Sequence, residues 1–304
     1  MNEDLTLTLE NHRLRIAFSD PSHLKNPRFD RTAMVTEVTL DGAYRFCTPE
    51  QVLPHRRTTH GMGLCGEFVL EGPAEEAEAG QRFLKPGVGL LKQVRSGAPY
   101  DMWMPYEAEF LPVTVTREEN RITFFQKAPL CGGYGVDIEK RFCLRGNSLV
   151  LDITAANSGE KPIALKEYQH NFLSLEGVPI GPGYVLELAC DKRLPEIVGQ
   201  TLRQGDEIVL PSAVRAEEGR ILWTDDLNGK VMYHRSEEIN PNGPYRWTLH
   251  RLGSTVSVSE ETDFRPSRID IWAVEHCVCT EFYHSAFLAP GEKACWRRIW
   301  TFSK

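Results

Sequence analysis

The sequence predicts an all-β protein in the form of a large antiparallel β-sandwich. Three observations support this fold class: short segments in which apolar and polar residues alternate, turn-forming residues at close spacing between them, and almost no helical periodicity. Strands and helices do not alternate along the 304 residues, which argues against a doubly wound parallel sheet. Many short strands joined by tight turns instead favour one large sandwich.

The predicted strands are rich in β-branched or aromatic residues and are separated by turn-forming residues. They are residues 5–9, 13–18, 34–40, 113–116, 121–126 and 148–154. Near the C-terminus, residues 277–288 and 294–302 flank an Ala-Pro-Gly-Glu turn at 289–292, and this pattern predicts a long hairpin. The strongest helix signal, residues 74–79, is short and precedes Gly80. We therefore expect very little helix.

Charge and hydropathy limit the partners of the chain. The formal net charge is −7, whereas nucleic acids and anionic membranes require clustered positive charge, so we expect neither as a partner. No apolar run approaches the roughly 18 residues of a membrane helix. The first nine residues lack the basic and apolar regions of a secretory signal, and the eight cysteines are spread along the chain. These features indicate free thiols and a cytoplasmic location.

The first candidate site residue, His170, lies in a predicted strand that follows a turn at residues 157–162. In an extended strand, Tyr168, His170 and Phe172 share one face. A histidine between two aromatic side chains suits a carbohydrate cleft, because aromatic rings cover the apolar faces of a sugar and the imidazole reaches a sugar oxygen. The residues alone leave open an alternative, a half-buried histidine that makes one ordinary hydrogen bond.

This segment resembles the turn and histidine-bearing strand of aldose 1-epimerases, which belong to the galactose mutarotase-like superfamily. The similar residues are Asn157, Pro162 and the run His170-Asn171-Phe172-Leu173-Ser174-Leu175. The resemblance implies a galactose mutarotase-like supersandwich, with residues 1–304 as a single domain. It also implies that His170 is the general acid at the ring oxygen of the sugar. Tyr168, on the same strand face, is expected to contact the substrate.

A second segment resembles the C-terminal part of the same family. It comprises the run Cys-Val-Cys-Thr-Glu-Phe-Tyr at 277–283, the Leu-Ala-Pro-Gly-Glu turn at 288–292 and the final aromatic strand at 300–302. The resemblance implies that Glu281 is the general base at the anomeric hydroxyl. From the residues alone, a surface glutamate on an edge strand is the alternative.

A third segment places His60 before Gly61 and shortly after Arg56 and Arg57. It is similar to a His-Gly element of the epimerases, which implies that His60 hydrogen-bonds the sugar and that a nearby arginine assists. Adjacent arginines also suit capture of a phosphate or carboxylate group. A turn histidine without contact to a ligand is the alternative for His60.

Metal and cofactor sites are not expected. His276, Glu281 and His284 are close in sequence, but an unbroken strand directs Glu281 to the face opposite the two histidines. Neither HExxH spacing nor a CxxC pair is present, and no nucleotide-binding glycine motif occurs. We therefore predict that the protein works without a metal or cofactor.

The resemblance implies an isomerase that interconverts sugar anomers. Glu281 would take the proton of the anomeric hydroxyl while protonated His170 donates a proton to the ring oxygen, so that the ring opens and recloses on the other face. The expected partner is a small-molecule sugar or sugar phosphate. Two alternatives remain: a non-catalytic carbohydrate-binding or regulatory protein, and another sugar-modifying activity such as a lyase or sugar-phosphate epimerase.

Overall fold

Two large antiparallel sheets and one small sheet make up most of the structure, which confirms the predicted all-β class. The computed structural model describes residues 7–51, 58–189, 213–217, 219–229, 231–236, 239 and 241–304. Within these residues the helical segment is a single turn, α1 (Pro73–Glu76), at the position of the short helix signal.

The first sheet carries the candidate site and contains nine of the described strands. These are β1 (Leu7–Glu10), β2 (Leu14–Phe18), β3 (Met34–Leu40), β4 (Tyr44–Arg45), β5 (Leu64–Leu70), β13 (Ile163–Asn171), β17 (Met232–Ser236), β20 (Arg268–Val274) and β21 (Cys277–Leu288). Their order across the sheet is β1-β2-β3-β5-β13-β21-β20-β17, and β4 pairs with β3. Strands distant in sequence, β5, β13 and β21, are therefore neighbours at the centre of the sheet.

The second sheet packs against one face of the first. Its ten described strands are β9 (Thr114–Glu118), β10 (Arg121–Gln126), β11 (Val136–Arg145), β12 (Ser148–Asn157), β14 (Tyr184–Leu188), β15 (Val214–Glu217), β16 (Arg220–Trp223), β18 (Arg246–Arg251), β19 (Ser257–Thr262) and β22 (Lys293–Ser303). Their order is β15-β16-β14-β18-β19-β22-β12-β11-β10-β9. A small sheet of β6 (Arg82–Lys85), β7 (Gly89–Lys92) and β8 (Ala108–Phe110) has no strand pairing with either large sheet.

The predicted C-terminal hairpin is wrong. Strands β21 and β22 lie at the expected positions, but β21 pairs with β13 and β20 in the first sheet, whereas β22 pairs with β12 and β19 in the second. The turn between them therefore crosses from one sheet to the other. Both strands bury one face in the same core, so they pack face to face rather than edge to edge, and alternation in the sequence does not distinguish these arrangements.

The facing sides of the two sheets enclose a continuous apolar core. Aromatic side chains fill much of it: the rings of Phe18 and Phe142 lie 5.0 Å apart, and those of Phe46 and Phe302 lie 4.8 Å apart. Burying each such side chain contributes roughly 1.5–3 kcal/mol to folding. The alternation recognised in the sequence therefore reflects one core-facing side in each strand.

A charged network crosses this core and links the two sheets. Arg298 of β22 contacts Glu167 of β13 and Glu260 of β19, each at 2.7 Å, and none of the three side chains is exposed. The Arg298 guanidinium also donates to the carbonyl oxygen of Phe282 in β21 at 2.7 Å. Indole N–H groups support the carboxylates, since Trp296 donates to Glu167 and Trp247 donates to Glu260. A single cation thus connects four strands across the sandwich.

We predict that Arg298→Met lowers the free energy of unfolding by about 3–5 kcal/mol, because it leaves two buried carboxylates without their cation. Urea unfolding measures the change. The control is Arg297→Gln, next in the chain, which breaks a partly exposed pair with Asp152 and should cost less than about 1 kcal/mol. Equal losses in the two variants would contradict the central role of the buried network.

Candidate functional site

Strand register places His170 directly beside Glu281. The pairing of β13 with β21 ends with Glu167 opposite His284, and an isolated bridge joins Leu173 to Val278 in the same register. The intervening residues therefore lie opposite one another, which sets His170 against Glu281. Both side chains point away from the core. We call this side of the first sheet, which carries His170 and Glu281, the site face.

The two side chains form a buried contact. His170 Nε2 lies 3.2 Å from Glu281 Oε1, and only 8% and 6% of the respective side chains are exposed. The Tyr283 hydroxyl donates to Glu281 Oε2 at 3.0 Å. The other ring nitrogen, His170 Nδ1, has no hydrogen-bond partner among the described residues. The structure thus brings together the two residues to which the resemblance assigned acid–base roles.

Burial alters the proton affinity of both groups. It lowers the pKa of His170 well below its ordinary value, and the positive charge of Arg28 acts in the same direction. Burial and the negative charge of Asp270 raise the pKa of Glu281 to about 8, against the opposing charge of Arg28. Near neutral pH, the free site therefore favours an uncharged imidazole beside a protonated carboxyl group, so that the pair holds one proton.

Aromatic rings surround the pair. Phe172 stacks on the His170 ring at 4.0 Å, and Trp272 and Phe29 meet the same ring edge-on at 5.9 Å each. On the other side, Tyr168 stacks on Tyr283 at 4.4 Å. These mostly buried rings give the pair largely apolar surroundings.

A buried charge cluster borders the site on the β5 side. Glu67 accepts hydrogen bonds from Arg28 at 2.8 Å, Lys85 at 2.7 Å and the Tyr168 hydroxyl at 2.5 Å. Burial opposes ionisation of Glu67, but the charges of Lys85 and Arg28 outweigh it and hold its pKa at about 2. Tyr168, a predicted substrate contact, therefore lies on the site face with its hydroxyl engaged by Glu67 and Arg28.

A second charge cluster lies on the β20 side. Asp270 is opposite Glu281 in the β20–β21 ladder and opposite Arg235 in the β17–β20 ladder. Arg235 contacts both Asp270 oxygens, at 3.0 and 3.2 Å, and Arg268 contacts one of them at 3.1 Å. The Tyr233 hydroxyl also donates to Asp270 at 2.8 Å. Two guanidinium groups thus share one carboxylate beside the acid–base pair.

His60 lies in a loop next to the site, but its side chain is exposed. Its neighbour Thr59 accepts a hydrogen bond from Arg28 at 2.8 Å, and a Cβ atom on Gly61 would collide with the rings of Phe172 and Phe29. A contact between His60 and a sugar therefore stays a prediction. The other two predicted binding residues, Arg56 and Arg57, lie outside the described residues.

Several residues of the site face were not anticipated from the sequence. The most informative ones lie in β20, where Arg268, Asp270 and Trp272 alternate with residues of the apolar core. Polar and aromatic residues at every second position indicate a strand face that contacts other side chains. The sequence of β20 could therefore have identified these residues as candidates for the site. Glu67, Arg28 and Lys85 gave no comparable signal, because they come from separate parts of the chain.

Of the two histidines near Glu281, His284 lies on the opposite strand face as expected, whereas His276 lies in the turn before β21 and not in an unbroken strand. His284 stacks on Trp296 at 4.4 Å on the core side of β21, and His276 Nε2 lies 3.0 Å from the carbonyl oxygen of Pro49. Among the described residues, no group of three or more histidine, cysteine or acidic side chains is placed to hold a metal ion. None of the helices in the described part of the chain is long and apolar enough to cross a membrane.

No protein-family model and no curated protein matches the chain, but solved structures match it over almost its full length. The Slr1438 protein from Synechocystis sp. PCC 6803 is similar with a TM-score of 0.60 at 14% identity, covering 99% of this chain and 96% of that chain.

Two further matches are named for sugar isomerases or their relatives. A galactose mutarotase-like protein from Lactobacillus casei ATCC 334 gives a TM-score of 0.54 at 14% identity, covering 98% of this chain and 99% of that chain. The galactose 1-epimerase from Lactobacillus acidophilus NCFM gives a TM-score of 0.53 at 14% identity, covering 97% of this chain and 93% of that chain. The chain therefore has the galactose mutarotase-like fold that its sequence resemblance implies.

Proposed function

We propose that the protein is an isomerase that exchanges the anomers of a sugar by acid–base ring opening at His170 and Glu281. The observation that carries this proposal is their 3.2 Å contact on a buried sheet face lined by aromatic rings. The fold shared with a galactose 1-epimerase supports a sugar as the ligand. A cytoplasmic location, a single domain and independence of metals and cofactors remain predictions from the sequence.

The chemistry requires that the pair holds one proton. Ring opening removes a proton from the anomeric hydroxyl and delivers one to the ring oxygen as the bond between the anomeric carbon and that oxygen breaks. One member of the pair accepts the first proton and the other donates the second. After the aldehyde rotates, the reverse transfers close the ring on its other face and restore the original proton distribution.

The electrostatics of the free site differ from the sequence-based expectation in one respect. The expectation placed the proton on His170, whereas burial of both groups favours a neutral His170 and a protonated Glu281. Both distributions contain the same number of protons and interconvert by one transfer within the pair. The proposal therefore assigns the acid–base work to the pair as a unit.

We expect His170→Asn and Glu281→Gln each to lower the rate of anomer exchange roughly 10²–10⁴-fold, because each removes one proton transfer. Sugar binding should persist, since the loss falls on the transition state. The double variant should lose less than the product of the single losses, because the two transfers act together. Saturation-transfer NMR on a panel of freshly dissolved sugars measures the exchange.

A second histidine–glutamate pair provides matched controls for this experiment. His250 Nε2 lies 3.7 Å from Glu187 in the second sheet, and both side chains are partly exposed. His250→Asn and Glu187→Gln should leave the exchange rate unchanged. If site variants exchange a sugar as fast as the unaltered protein, the residue assignment is wrong. If sugars bind but none exchanges faster than in buffer, the chain is a carbohydrate-binding protein instead.

The rate should fall as pH rises above about 8. The pKa of Glu281 is raised to about 8, so the pair keeps its proton up to that pH and loses it above. At acidic pH the exchange rate should fall only well below pH 6.5, because the pKa of His170 is lowered and the pair gains a second proton only there. A pH profile of the exchange rate, corrected for the buffer reaction, tests both limits.

Substitution of Asp270 tests the cause of the alkaline limit. The negative charge of Asp270 raises the pKa of Glu281, so Asp270→Asn should move the alkaline fall to lower pH. The control Asp152→Asn removes a partly exposed carboxylate from the second sheet and should leave the profile in place. An alkaline limit that does not move in Asp270→Asn would show that another group sets it.

A further inference from the structure

Positive charge accumulates at one end of the row that contains the acid–base pair. The strand ladders align Cys65, His170, Glu281, Asp270 and Arg235 across five neighbouring strands. Arg235 and Arg268 both contact Asp270, and 35% and 25% of their side chains are exposed. Arg268 Nε is buried and has no hydrogen-bond partner in the described part of the chain. One carboxylate therefore faces two guanidinium groups, of which one retains an unused donor.

The same imbalance occurs on the β5 side of the pair. There Arg28 and Lys85 share Glu67, again two cations on one carboxylate. In these two clusters together, four cations contact two carboxylates, Glu67 and Asp270, while burial keeps Glu281 protonated near neutral pH. This local excess contrasts with the formal net charge of −7 for the whole chain. Partly buried positive charge without a counter-charge is costly, so it indicates a ligand that supplies the missing negative charge.

The two clusters differ in how far their donors are already used. Arg28 donates to Glu67, to Thr59 and to Tyr168, and Lys85 donates to Glu67 and to the carbonyl oxygen of Phe68. These cations are almost fully buried. Arg235 and Arg268 are more exposed, and Asp270 holds both guanidinium groups in place. The β20 side is therefore the better location for an incoming anion.

From this charge distribution we propose that the sugar bound by the protein carries an anionic group, a carboxylate or a phosphate, held by Arg235 and Arg268. This inference rests on the proposed function, since the anomeric centre would lie at His170 and Glu281. Neighbouring strands are about 4.8 Å apart, so Arg268 and Arg235 lie one and two strand spacings from Glu281. A hexose with an acidic group at the carbon farthest from its anomeric centre spans that separation. Arginine suits both anions because its planar donors bind two oxygens at once.

Binding of matched neutral and acidic sugars tests the proposal. The probes are galactose and glucose, their C6 carboxylates galacturonate and glucuronate, and their 6-phosphates, with inorganic phosphate as a control. Calorimetry should give Kd values for either the carboxylates or the phosphates roughly 10- to 100-fold lower than for the parent sugars, as expected for charge-assisted hydrogen bonds. Which acidic series binds more tightly identifies the anion. The preference should weaken as salt is added.

Variants locate the anion site. Arg235→Gln and Arg268→Gln should each raise the Kd of the acidic sugar roughly 10- to 100-fold and raise the Kd of the neutral sugar far less, so that most of the preference is lost. Arg297→Gln, which removes an arginine paired with an aspartate on the second sheet, should keep the preference. If a glutamine variant does not fold, Arg235→Lys replaces it, because lysine keeps the positive charge but loses the paired donors of arginine. The salt dependence of binding to the unaltered protein then provides a second measurement.

Three outcomes separate this inference from the proposed function. Neutral and acidic sugars that bind equally, or a preference that survives in both glutamine variants, would overturn the anion site. Rapid anomer exchange of neutral sugars together with equal binding would overturn the anion site alone. Tight binding of acidic sugars that depends on Arg235 and Arg268, without faster exchange, would support the anion site and overturn the isomerase.

Discussion

The structure depends on the register between β13 and β21, and that register is fixed from the core side. Glu167 of β13 binds Arg298, which also binds the Phe282 carbonyl of β21, so one cation connects the two strands. Asn171 donates to the Thr280 carbonyl on the same pair of strands at 2.7 Å. A slip of one residue would turn every side chain of a strand to the opposite face. The buried network therefore sets the alignment of His170 with Glu281 on the reverse side.

The two faces of these strands use charge in different ways. On the core side, Arg298 lies between two carboxylates, and neighbouring indole and amide groups satisfy the remaining oxygens. On the site face, Glu67 and Asp270 are each shared by two cations, so charge compensation within these two clusters is incomplete. A closed network favours rigidity, whereas an open one leaves interaction energy available to a ligand. Alternation along a strand allows both arrangements within one set of residues.

The sequence predicted the fold class, most strand positions and the shared face of Tyr168 and His170, because these follow from local periodicity. It did not predict how the strands combine into sheets. The wrongly predicted hairpin of β21 and β22 shows the reason: alternation identifies the buried face of a strand but does not indicate which strand pairs with it. Local pattern with family resemblance indicated His170 and Glu281. It could not indicate Glu67, Arg28 or Lys85, which meet only through long-range pairing, nor the altered pKa values, which arise from burial in the completed structure.

The crossing between β21 and β22 also constrains how the chain reaches this structure. Strand β12 occupies a central place in the second sheet, yet one of its two neighbours is β22, with Thr154 opposite Cys295. When β12 leaves the ribosome, that edge has no partner until well over a hundred further residues have been made. Pairings between such distant segments slow folding and leave strand edges open to wrong association. During synthesis, the protein would therefore benefit from a chaperone that shields the exposed edge of β12.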